Sequence, residues 1–303
     1  MFKSLKIYIA IVLSMIFWSF SFIWTRVAIL SFPPMTLITL RLIFASALLF
    51  GVLKITGRFQ LIRKTDLKLF LFLALFEPFL YYVGETFGLT LIESTPAAVI
   101  ISTIPLFAPV FAFIFLRERI DWATMLGILL SLVGVFFVIY EQGKGFKANP
   151  AGVALMFMAV FSAIGYATIL KKIPSYYNNM SVIFYQSLFG LIYFIPTFFL
   201  TDYSSIQSIK VSNQSLLALV MLALFASVIA FVLFAGAVRK IGVTRTNVFV
   251  NLIPVFTAIL SWIILDEILT LWKGFGIAVV VVGLFVSQWN SYKTIKITNE
   301  DIL

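Results

Sequence analysis

One stretch of this sequence is written twice. Thr95, Val99, Ile104, Pro105, Phe107, Ile114, Leu116 and Glu118 meet Thr244, Val248, Ile253, Pro254, Phe256, Ile263, Leu265 and Glu267 at a single fixed offset. The register continues through Gly127, Ile128, Val133, Gly134 and Phe136, which meet Gly276, Ile277, Val282, Gly283 and Phe285. About 14 of roughly 49 aligned positions agree, the mark of an internal duplication. Apolar composition alone would match some Val, Ile, Leu and Phe by chance, but not Pro, Glu and two Gly in one register. Any fold for this chain must therefore accommodate two copies of one unit.

The medium follows from composition. Hydrophobic residues make up 62% and charged residues 11% of the chain, with a mean hydropathy of +1.10, whereas a soluble domain carries about a quarter charged residues. Ten apolar runs approach the roughly 20 residues needed to cross a bilayer. They are expected near 7–30, 35–53, 67–91, 95–116 and 122–140 in the first copy. In the second copy they are expected near 150–170, 180–200, 216–238, 243–265 and 271–289. The first run follows Lys3 and Lys6 as a signal peptide's would, but it is longer than a typical signal core and lacks a small-residue cleavage pattern, so it stays as a span. The expected class is all-α integral membrane, ten transmembrane helices in two five-helix repeats, with units at 1–141 and 150–290 and a tail at 291–303.

Five spans is an odd number, so the second copy enters the membrane from the opposite side and the halves are inverted. Sorting Lys and Arg by alternate connections puts about 16 on the side of the N-terminus and about five on the other, which orients both termini toward the cytoplasm. The formal charge of +10 is read as this orientation signal rather than a nucleic-acid surface. Inverted halves are a usual architecture for alternating access.

Chemistry is restricted as well. Cys and His are both absent, which removes their metal sites and the Ser/His and Cys/His nucleophile pairs. No G-x-x-x-x-G-K-[ST] loop occurs, so no nucleotide-driven pump is encoded here. No cofactor, metal or catalytic residue is expected.

The proline-bearing run 94–118, its recurrence at Pro254 to Glu267, the five-plus-five duplication and the Trp18 cluster resemble the drug/metabolite transporter superfamily, EamA type. The resemblance covers nearly the whole chain. It implies ten helices around a central cavity lined mainly by helices 1, 3, 4, 6, 8 and 9. It also implies a bacterial inner-membrane protein moving amino acids or similar small metabolites, often outward.

Ionisable groups inside a span cost roughly 2.5–3.5 kcal/mol on insertion scales, so they face the protein interior or a watery path. Helix 3 carries Glu77, Tyr81 and Glu85 at four-residue spacing along one side. Glu77 falls near mid-membrane and is the candidate for taking and releasing a proton, against a structural role as helix glue. Arg41 on helix 2 lies at the depth of Glu85, as a structural ion pair or as a holder of a substrate carboxylate. Gln186 matches Arg41 in the second copy when Thr36 is set against Ser181.

Ala98, Ser102, Pro105 and Pro109 make a small or polar stripe that recurs as Asn247, Asn251, Pro254 and Ala258. Proline inside a span frees a carbonyl one turn earlier, so Pro105 and Pro254 are expected helix breaks with a gating role. Ser102, Asn247 and Asn251 are expected to line the cavity, against a packing role for the small members. Trp18 and Tyr81 lie deep enough in their spans to form aromatic walls. Gly127, Ser131, Gly134, Gly276 and Gly283 read as close helix contacts, with a homodimer contact as the alternative.

The expected function is an inner-membrane exporter of small organic metabolites with lipid around it, proton coupling remaining open. The alternatives are efflux of cationic aromatic drugs and an intramembrane lipid-modifying enzyme.

Overall fold

The computed structural model describes residues 2–107, 122–141, 145–146, 148–170, 172–204, 209–241, 246 and 248–287. Among them the chain forms ten apolar helices. In the first half these are α1 (Lys6–Ala28), α2 (Pro34–Ile55), α3 (Lys64–Leu91), α4 (Ser94–Phe107) and α5 (Trp122–Ile139). The second half supplies α6 (Pro150–Leu170), α7 (Asn179–Thr201), α8 (Asn213–Ala237), α9 (Phe249–Ile264) and α10 (Leu271–Ser287). Seven of the ten are long and apolar enough to span a bilayer by themselves, and α4, α9 and α10 are the shorter ones. The rest of the expected span at 95–116 lies outside the described residues. One feature the apolar runs do not announce is a pair of two-residue antiparallel strands between the halves, Tyr140–Glu141 and Gly145–Phe146.

Helix ends follow local chemistry. Pro34 opens α2 in its first turn, where its missing N–H costs nothing. The Asn178 side chain accepts the Ser181 N–H at 2.8 Å to start α7, and Ser212 Oγ accepts the Ser215 N–H at 3.1 Å to start α8. Many large apolar side chains remain exposed along the outside, Leu129, Ile192, Phe199 and Trp262 among them. In lipid such a surface needs no polar cover.

The halves interleave. Helix α1 lies against α8 and α9, α2 against α7 and α8, α3 against α6, and α4 against α6 and α9. Helices α5 and α10 form their own close pair. A Cβ added at Gly127 would stand 2.5 Å from the Gly283 carbonyl, and one at Gly134 would stand 2.7 Å from the Gly276 carbonyl. Ser131 Oγ donates to the Val280 carbonyl at 3.3 Å in the same seam. The glycine rows of α5 and α10 thus face each other within one chain.

Two helix pairs are broken at matching places. Helix α3 widens into a π-type turn over Leu75–Leu80, and α8 does so over Leu222–Ile229. Helix α4 turns at Ser102 and Thr103, one residue before it resumes through Pro105. Its counterpart α9 passes through a 3-10 turn at Val248–Asn251 before Pro254. Both prolines therefore sit in the first turn of a fresh helical segment, where the ring is tolerated.

Candidate functional site

A cavity of about 350 Å³ lies where these breaks converge. Trp18 and Phe22 come from α1, Arg41 from α2, and Glu77, Tyr81, Tyr82 and Glu85 from α3. Pro105 comes from α4, Tyr166 from α6, Phe231 and Phe234 from α8, and Ile253 from α9. Helix α7 adds Asn179, Val182 and Ile183, so α2 and α7 join the six helices implied by the resemblance.

Helix α3 aims Glu77 by losing its regular backbone there, while Glu85 lies in regular helix beyond the break. Glu77 has extended dihedrals, φ −141° and ψ 117°, just before Pro78. Neighbouring helices add side-chain donors to carbonyls beside the break: Ser162 Oγ of α6 donates to the Phe76 carbonyl at 2.5 Å, and the Tyr193 hydroxyl of α7 donates to the Leu71 carbonyl at 3.1 Å. Irregular backbone at membrane depth is stable under such conditions, buried in protein or beside a cavity. Glu77 itself is 6% exposed. No hydrogen bond or ion pair engages its carboxylate among the described residues.

Arg41 is engaged on three sides. Its Nε donates to Ser227 Oγ of α8 at 2.7 Å, its Nη1 stands 3.9 Å from Glu85 Oε2, and its guanidinium lies 4.1 Å from the centre of the Tyr82 ring. The Tyr82 and Ser227 hydroxyls are 3.5 Å apart, which extends the cluster. Among the described residues, Glu85 Oε2 is buried without a hydrogen bond. The opposite wall is aromatic: the Trp18 ring meets Phe231 edge-on at 5.2 Å and Phe234 at 4.9 Å.

The remaining sequence candidates stand elsewhere. Ser102 is fully buried and donates back to the Val99 carbonyl of its own helix at 2.7 Å. Among the described residues, both polar atoms of the Asn251 side chain are buried without partners. Gln186 accepts the Tyr166 hydroxyl at 3.0 Å, behind the wall that Tyr166 forms. Ser102, Gln186, Asn251 and Pro254 are not part of the lining, and Asn247 lies outside the described residues.

Polar contacts cluster at the end of the bundle where α1, α3, α7 and α9 finish and α2, α4, α8 and α10 begin. The Glu267 carboxylate, three residues beyond the end of α9, accepts the Ser94 N–H at 2.7 Å, the Thr95 N–H at 3.2 Å and the Thr95 hydroxyl at 2.9 Å. An acid from the second half thus caps a helix of the first. Beside it, Lys273 Nζ meets Glu93 Oε2 at 2.5 Å, and Arg26 donates to the Leu89 carbonyl at 2.7 Å. On this face Asp202 accepts the Thr36 N–H at 2.8 Å. The opposite end is bordered by Leu170, Ile173, Ser175 and Asn179. There the Tyr176 phenol donates to Asp66, and that bond holds the phenol pKa up at about 12.

With this geometry in place, similarity to known proteins decides the family. The EamA-like transporter family matches residues 5–140 and again residues 150–289. The chain belongs to the EamA-like transporter family. It is 30% identical over 282 residues to an uncharacterized transporter of Archaeoglobus fulgidus, covering 93% of this chain and 98% of that one. Among other EamA-like relatives, the uncharacterized transporter YetK of Bacillus subtilis is 29% identical over 82% of this chain and 76% of its own. YcxC of the same organism is 26% identical over 95% of each. A crystal structure with 18% identity superposes with a TM-score of 0.68, covering 94% of this chain and 97% of that one, and shows the same fold. This EamA-like chain is a multi-pass membrane transporter of the drug/metabolite transporter superfamily.

Sequence reasoning missed Ser227, Ser162 and the capping role of Glu267. A lone hydroxyl beside Ala226 in an otherwise apolar stretch of α8 was the available signal for Ser227.

Proposed function

We propose that this transporter exports small organic metabolites, amino acids or similar solutes, by alternating access, with Glu77 carrying the coupling proton. The supporting observation is a buried carboxylate without a hydrogen bond among the described residues, set in a helix break and lining a cavity between the halves. Such a group changes charge state readily when its surroundings change. The charged and titratable groups around it are Tyr81, Tyr82 and Glu85 of its own helix, Arg41 of α2 and Tyr166 of α6. Helix breaks before Pro105 and Pro254 serve as hinges on which the lining of α4 and α9 changes position. In this reading the units at 1–141 and 150–290 rock against each other. Both termini and the tail at 291–303 face the cytoplasm of a bacterial inner membrane.

Uptake of labelled amino acids and aromatic cations into proteoliposomes, with and without an imposed proton gradient, tests the reading. Gradient-driven accumulation of at least one solute is expected. Equilibration indifferent to the gradient removes the coupling role, and chemical conversion of a lipid or solute without net movement replaces the transporter with an enzyme.

A further inference from the structure

We infer that the cavity recognises the ammonium group of an organic amine through Glu77, with the apolar body of the guest against Trp18, Tyr81 and Phe234. The inference rests on the transport reading above and narrows its substrate class. It begins from a charge census. Among the described lining residues, Arg41 is the sole cation, and Glu77 and Glu85 are the acids.

Arg41 is already matched. Its Nε holds Ser227, its Nη1 faces Glu85 at 3.9 Å, and its flat face covers Tyr82. A guest carboxylate would have to displace these partners while facing two protein carboxylates. Glu85 balances Arg41, which leaves one charge over, that of Glu77. A buried ion with no partner is strongly destabilising, so the empty cavity favours a proton there and the loaded cavity favours a cation. Proton and ammonium then compete for one carboxylate, which ties the guest to the coupling step.

The rest of the wall agrees with a cation on an apolar body. Trp18, Tyr81, Tyr166, Phe231 and Phe234 line the same cavity as the acid, and aromatic faces attract ammonium groups once water is excluded. A cavity of about 350 Å³ lies at the small end of ligand pockets, which run from about 300 to 1,000 Å³.

The test uses three probes that share one ring: phenethylamine, 2-phenylethanol and 3-phenylpropionate. Their binding to the purified full chain in detergent is measured by isothermal titration. Phenethylamine should bind roughly tenfold to a hundredfold more tightly than the alcohol, the range for one charged hydrogen bond, and 3-phenylpropionate should bind most weakly. Glu77→Gln should bring the amine-to-alcohol ratio close to one. Glu85→Gln should release Arg41 and strengthen binding of 3-phenylpropionate while the amine preference persists.

Equal or tighter binding of 3-phenylpropionate by the unmodified protein overturns the inference, as does an amine preference that survives Glu77→Gln or an amine that does not bind at all. If Glu77→Gln does not fold, the probe ranking in the unmodified protein and the anion gain in Glu85→Gln decide the matter. Solute transport without amine preference would refute this inference and leave the transport reading standing. Glu77-dependent amine binding without movement of any solute would refute the transport reading instead.

Discussion

Helices α3 and α8 hold equivalent places in the two halves and differ in almost everything but their shape. Each leaves regular α geometry for a π-type turn, at Leu75–Leu80 and Leu222–Ile229. At the offset that pairs Pro105 with Pro254, the residues Glu77, Tyr81 and Glu85 of α3 fall against Ala226, Ala230 and Phe234 of α8. Helix α8 builds its widened turn without an ionisable side chain, so Glu77 is not required to make one. The duplicated fold supplies the break, and α3 alone places charge in it. Even the polar residue of the α8 break, Ser227, serves the first half by holding Arg41. One half of the cavity thus carries the charges and the other supplies aromatic and apolar wall.

The strongest way to break this comparison is to put charge on the wrong helix. Ala226 is fully buried among Leu37, Leu219 and Leu222, and Ala226→Glu should cost several kcal/mol as an unpaired buried carboxylate. Loss of monodisperse protein after detergent extraction would show it. Yield and stability equal to the unmodified chain would mean that α8 tolerates charge as α3 does.

Packing behind the two helices differs too. A Cβ at Gly84 of α3 would lie 2.5 Å from the Leu155 carbonyl and 3.0 Å from the Ala159 nitrogen, both backbone atoms of α6. Gly84→Ala should destabilise by roughly 1–3 kcal/mol, the usual cost of overpacking, seen as a lower melting temperature in detergent. Ser227→Ala removes a partner of a charged donor. It should cost about 1.5–3 kcal/mol at most and weaken the hold on Arg41, so that 3-phenylpropionate binds more tightly than before. The smallest effect belongs to Gly236, where an added Cβ meets nothing within 4 Å. Gly236→Ala should raise stability by up to about 1 kcal/mol through helix propensity, and a clear loss would show that α8 is as tightly backed as α3.

Much of this was legible in the chain. Pro, Glu and Gly recurring in one register exposed the duplication, because those residues are constrained by backbone geometry and capping rather than by general apolarity. Glu77, Glu85 and Arg41 stood out because charges in apolar spans are costly and few. Their surroundings were not legible. Ser227 reaches Arg41 from 186 residues away, and no local spacing reports such a contact. Ser102 read as cavity lining from its stripe, yet its hydroxyl turns back on the Val99 carbonyl, a local bond that Ser makes readily in a helix. Gln186 matched Arg41 by position, and its oxygen is held by Tyr166. Glu267 stood out in the sequence as the repeat partner of Glu118, and its role as a cap on α4 depended on how the halves interleave.

The most direct test is proton-gradient-driven uptake of phenethylamine into proteoliposomes, comparing the unmodified chain with Glu77→Gln under identical reconstitution. The account predicts accumulation above equilibrium for the unmodified chain and, for Glu77→Gln, either no transport or equilibration that ignores the gradient. Full gradient-driven accumulation by Glu77→Gln would contradict it and return Glu77 to a purely structural part in α3.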